Sequence, residues 1–155
     1  MRLLHTFGIA ALSLALGACM SSAPQQKVAS PEDQIAVTLR WDFKPEAAAT
    51  DVDAPRTHAW LVVTAVDDEQ WLDLGVYAGD TFVVPAPADG LEPPLTSARI
   101  WWAGGGDELV VYPSDSGEIV VSHRTIDEES GYGELKEIGR ASVPSDSMIV
   151  VEAAE

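Results

Sequence analysis

The sequence predicts an all-β fold, a single antiparallel β-sandwich or small β-barrel of about seven to nine strands. Three observations predict it. Apolar residues recur with a period of two rather than 3.6, the apolar runs are short, and clusters of turn-forming residues separate them.

The first run, Ile35-Ala36-Val37-Thr38-Leu39-Arg40-Trp41-Asp42, has apolar odd positions and small or polar even ones. That is the alternation of a strand with one buried face. Further β-rich runs lie at 58–66, 71–77, 81–84, 98–103, 108–112, 118–126, 133–138 and 148–152, which makes nine strands. The separators carry turn chemistry: Asp67-Asp68-Glu69-Gln70, Pro85-Ala86-Pro87-Ala88-Asp89-Gly90, Pro113-Ser114-Asp115-Ser116-Gly117 and Pro144-Ser145-Asp146. Only 45–50 and 127–130 suit a helical turn, and each is too short to shape the architecture. Five tryptophans are expected to supply large buried surface to the core.

Composition excludes several classes of function. The chain has 9 Lys plus Arg against 25 Asp plus Glu, a formal net charge of −16. Such a charge favours solubility and repels phospholipid headgroups and nucleic acid, so no nucleic-acid partner is expected. The same field steers a basic protein or a cation towards the chain. The single cysteine, Cys19, leaves the rest of the chain with neither a disulfide nor a thiol nucleophile.

Cys19 closes the run Leu16-Gly17-Ala18-Cys19, behind an uncharged stretch from Phe7 to Leu16 with Arg2 in front. The apolar stretch is too short to span a bilayer, which takes about 20 residues. The arrangement resembles a bacterial lipoprotein signal: leucine three residues before the cysteine, two small residues next, then the cysteine. The resemblance implies a signal peptide over 1–18, cleavage before Cys19 and lipid on its thiol. Cleavage would also remove Arg2, leaving 8 cations against 25 carboxylates and a net charge of −17. Met20, where aspartate would retain such a protein in the inner membrane, implies the outer membrane, with the domain facing periplasm or cell surface. A polar tether over 19–32 would hold the domain, 33–155, on the order of 20 Å from the lipid.

Chemistry-bearing motifs are sparse, and the sequence names no reaction and no cofactor. Ser122-His123-Arg124 near Asp127 looks like part of a triad, but on a strand Ser122 and His123 point to opposite faces. There is no nucleophile elbow, zincin helix, phosphate loop or dinucleotide fingerprint. The acidic clusters at 51–53, 67–69, 107–108 and 127–129 lack the ligand spacing of a calcium loop and read as solvated turns.

Two loops stand out as binding candidates. Trp101-Trp102-Ala103-Gly104-Gly105-Gly106-Asp107 reads either as an aromatic-floored loop for a partner or sugar ring, or as a hairpin whose second tryptophan covers a neighbouring strand. Asp127-Glu128-Glu129-Ser130-Gly131-Tyr132-Gly133 sets Tyr132 between glycines beside an acidic run. Trp101, Trp102, Asp107, Asp127, Glu128, Glu129 and Tyr132 are therefore the candidate binding residues, and Cys19 the lipidation site. The expectation is a non-enzymatic binding or accessory domain, anchored by lipid, with an envelope protein as partner. Two alternatives stay open: a periplasmic inhibitor of a basic enzyme such as lysozyme, and a glycan- or metal-binding module.

Overall fold

Alternation along β1 (Ile35–Pro45) sends Val37, Leu39 and Trp41 to one side, where they are buried, and Thr38, Arg40 and Asp42 to the other. The same pattern continues through β2 (Arg56–Ala65) and β3 (Asp68–Ala78) and builds the first sheet. The computed structural model describes residues 34–46, 54–84 and 95–153. The signal segment 1–18, Cys19, the tether 19–32, the turn at 85–90 and most of 45–50 lie outside the described residues.

The remaining strands are β4 (Thr81–Val83), β5 (Thr96–Trp102), β6 (Gly105–Pro113), β7 (Glu118–Asp127), β8 (Gly131–Tyr132), β9 (Lys136–Ser142) and β10 (Ser147–Val151). One sheet has the order β10-β1-β2-β3. The other has the order β4-β5-β6-β7, with β8 and β9 both paired to the outer edge of β7. Every pairing is antiparallel except β1 with β10. The two sheets face each other as a β-sandwich and do not close into a barrel.

Leu39, Trp41 and Leu61 of the first sheet meet Ile100, Leu109, Ile119 and Val121 of the second in one core. β3 crosses the second sheet. Its Leu72 and Leu74 lie over Gly139 of β9, its Tyr77 against His123 of β7, and Gly79, just past its end, against Ile100 and Trp101 of β5. A bulge between Ala59 and Trp60 inserts Leu74 as an extra residue on β3, so Asp73 pairs with Trp60 and Gly75 with Ala59.

Three expectations are corrected. The run at 133–138 is not one strand: the backbone pairs at 131–132 and again at 136–142, and a bulge between Val121 and Ser122 shifts the register. An edge strand has one partner and one covered side, so its alternation is weak, and Ile138 is exposed. The 127–130 segment forms a turn rather than helix, and Pro45 ends β1. Of the five tryptophans only Trp41 enters the core, where its Nε1 donates to Thr96 Oγ1 at 3.0 Å.

Candidate functional site

Trp60, Trp71 and Trp101 lie on the outer faces, and Trp102 is exposed at a hairpin end. On the first sheet, register places Asp42 opposite Trp60 and Trp60 opposite Asp73, while Val62 lies between Arg40 and Trp71. All of these point away from the core. The Trp60 and Trp71 rings stand at 72° with centroids 6.1 Å apart, forming a corner. The Lys44 ammonium sits in it, 4.8 Å from the Trp71 centroid and 6.0 Å from that of Trp60, and 3.7 Å from Asp42 Oδ1. A cation over an indole face is attracted by the ring quadrupole. Arg40 lies 6.0 Å from the Trp71 centroid, and the Trp71 N–H donates to Glu69. Beneath this cover Val62 is fully buried, although it points outward.

The rim of the corner is held by the bulge. His58 stacks on Trp60 at 4.6 Å, and its Nε2 lies 2.6 Å from Asp73 Oδ1. The same oxygen accepts from the Gly75 amide at 2.9 Å. Those two hydrogen bonds, the one from His58 first, hold the Asp73 carboxyl below the usual carboxylate range. Trp60 Nε1 is buried with no hydrogen-bond partner among the described residues. An unmet buried donor costs about 1–3 kcal/mol, which offsets part of what burying the indole contributes.

At one end of the second sheet the structure brings together most of the loop residues singled out from the sequence. Ala103 and Gly104, with φ of 49° and 85°, form a two-residue hairpin turn of the primed kind. The Glu128 amide donates to the Gly104 carbonyl at 3.0 Å, which sets the 127–131 loop against this hairpin. Asp127 Oδ1 accepts from the amides of Glu129 and Ser130 and from the Ser130 hydroxyl, and these bonds pull its pKa down, those from Ser130 first. Its charge is spent on the turn. Glu128 and Glu129 are exposed.

The two adjacent tryptophans divide as strand geometry demands, and neither enters the core. Trp101 lies over Gly106 of β6, where a Cβ would collide with the Ile100 carbonyl and the Trp101 ring. It therefore covers a neighbouring strand, and Trp102 is exposed at the hairpin. Asp107 does not join them. It points to the inner side of the sandwich, where its Oδ1 lies 2.7 Å from His123 Nε2. Tyr77 packs on that histidine at 5.2 Å and donates to the Leu74 carbonyl; burial first, then the charges of Asp107 and Asp73, push its phenol up to about 12.

Behind the loop residues lies a buried charge cluster that no local sequence pattern announces. Glu108 is fully buried and pairs with Arg99 Nε at 3.0 Å through one oxygen and with Arg124 at 2.5 Å through the other. Tyr132 joins it: its hydroxyl accepts from Arg99 Nη2 at 3.1 Å, and its ring lies 3.9 Å from the Arg124 guanidinium carbon. Arg99, Glu108 and Arg124 come together only because β5, β6 and β7 place them in one register row.

No family model, curated protein or solved structure matches this chain. Chemistry must therefore be read from the geometry alone. Among the described residues the two histidine rings are directed at carboxylates, His58 at Asp73 and Glu46 and His123 at Asp107. Ser122, beside His123 in sequence, faces the opposite side of β7 and is buried there. Among the described residues no group of three or more His, Cys, Asp and Glu side chains is arranged to hold a metal ion.

The residues missed by sequence reading are Trp60 and Trp71. Their signal was present: Trp71 alternates with Leu72 and Leu74 and so shares a face with Glu69 and Asp73.

Proposed function

We propose that this chain is a lipid-anchored envelope lipoprotein whose β-sandwich is a non-enzymatic binding or accessory domain. The observation that carries this reading is Leu16-Gly17-Ala18-Cys19 at the end of a short uncharged stretch behind Arg2. A lipoprotein-type cysteine carries two or three acyl chains, and each buried methylene contributes about 0.8 kcal/mol, so attachment needs no basic patch. Strands with exposed aromatic and charged side chains on their outer faces suit recognition, and this supports a binding role. Met20 supports an outer-membrane address.

The test is metabolic labelling with a palmitate analogue. Label and membrane association are expected in the parent chain, and Cys19→Ser is expected to lose both. An unlabelled parent chain released into the soluble fraction would contradict the reading.

A second reading, inhibition of a basic enzyme such as lysozyme, is favoured by the net charge of −16 and by the cation-filled corner on the first sheet. It predicts that the purified protein slows such an enzyme and that added salt relieves the effect.

A further inference from the structure

The geometry points to the Trp60–Trp71 corner as a receptor for a lysine side chain of a basic protein partner, with Lys44 as its internal stand-in. This inference rests on the binding-domain reading above and names the chemistry of the partner. Four observations carry it. Two indole faces meet at 72°, and an ammonium already sits between them, closer to Trp71 than to Trp60. The carboxylate of Asp42 lies within ion-pair distance of that ammonium. Asp73 and Glu69 stand beside the two rings, bonded to His58 and to the Trp71 N–H. The chain as a whole is strongly acidic, so a basic surface is drawn towards it.

Lys44 is held loosely. Its side chain keeps 60% of its exposure and its ion pair is 3.7 Å long, a geometry that contributes little in water. Trp71 is itself 42% exposed. A partner lysine can therefore displace Lys44 at small cost and gain the same ring faces and carboxylate, while Lys44 swings into solvent. A cation lodged between two indole faces is attracted by both ring quadrupoles.

The test uses the full chain in neutral detergent micelles, titrated with a tetralysine peptide and followed by the indole signals of Trp60 and Trp71. Trp71→Ala, which leaves net charge unchanged, is expected to weaken binding about tenfold. Lys44→Met keeps the aliphatic stem and removes the internal competitor. It is expected to tighten binding roughly threefold, whereas Lys136→Met, which removes the same charge from an exposed site elsewhere, changes it by less than about twofold. Equal binding by Trp71→Ala, or equal gains from Lys44→Met and Lys136→Met, would overturn the assignment and leave only bulk attraction to an acidic chain. Indole shifts with neutral oligosaccharides but none with tetralysine would overturn it in favour of a sugar. Palmitate labelling is independent of all these arms, so loss of the anchor reading and loss of the lysine site are told apart.

Discussion

On the second sheet, Glu108 has no exposed surface and is clasped by two guanidiniums beneath Tyr132; on the first, Lys44 and Asp42 keep 60% and 21% of their side-chain exposure around two indoles. Both outer faces are built from aromatic rings, cations and carboxylates, yet burial assigns them different work. A buried ion pair gives weak net stabilisation but a large penalty when one partner is removed, because the other charge is left uncompensated. An exposed pair costs little to break, so the groups around it are available to exchange partners. The difference separates a face that fixes strand register from a face that binds.

The largest test of that contrast is Glu108→Ala. It removes the buried carboxylate that pairs with both Arg99 and Arg124 and is expected to cost about 3–5 kcal/mol, read as a lower denaturant midpoint. A loss below about 1 kcal/mol would mean the cluster is as freely exchanged as the first sheet's outer face.

Next in size is Val66→Gly. Val66 stands at φ 48° in the β2–β3 turn, a conformation that penalises a β-branched residue, and it is 77% exposed. Glycine there is expected to raise stability by about 1 kcal/mol without touching either outer face.

Trp71→Ala uncovers part of Val62 and is expected to cost about 1 kcal/mol, well short of Glu108→Ala, while weakening tetralysine binding, a split that a purely structural indole would not give. A stability loss comparable to that of Glu108→Ala would place Trp71 with the structural groups.

The smallest effect concerns Asp127. Its carboxyl titrates below the ordinary range because the turn amides and hydroxyl favour its charged form. Its hold on the 127–130 turn is then fully present above about pH 4 and fades as pH falls through the lowered value. Amide protection at Glu129 and Ser130 is expected to drop in that acid window, and Asp127→Ala to drop it at neutral pH, with tetralysine binding unchanged. Protection that persists in Asp127→Ala would show that the neighbouring hairpin holds the loop alone.

Much of the fold was legible because alternation reports burial directly. The even and odd residues of 35–42 sort onto the two faces as periodicity requires, and every predicted strand except 133–138 coincides with an observed one, overrunning it by at most one residue. Alternation failed where burial is one-sided or absent: at the β8–β9 edge, and at the tryptophans, whose size suggested core while four of the five lie elsewhere. Trp101 and Trp102 drew notice by adjacency, whereas Trp60 and Trp71 are eleven residues apart and meet only through the β2–β3 register. Glu108 was hidden for the same reason. Next to Asp107 it resembled a solvated acidic pair, and neither Arg99 nor Arg124 signals locally that it lies on the same row.

The most direct test of the central contrast is site-specific photo-crosslinking in the cells that make the protein, with the photoreactive residue placed at Val76, exposed on the same outer face beside the corner, in one strain and at Trp102 in another. Capture of a basic protein from position 76, with none from position 102, is the predicted result. Capture from position 102 alone would move the binding face to the hairpin end of the second sheet and contradict the account.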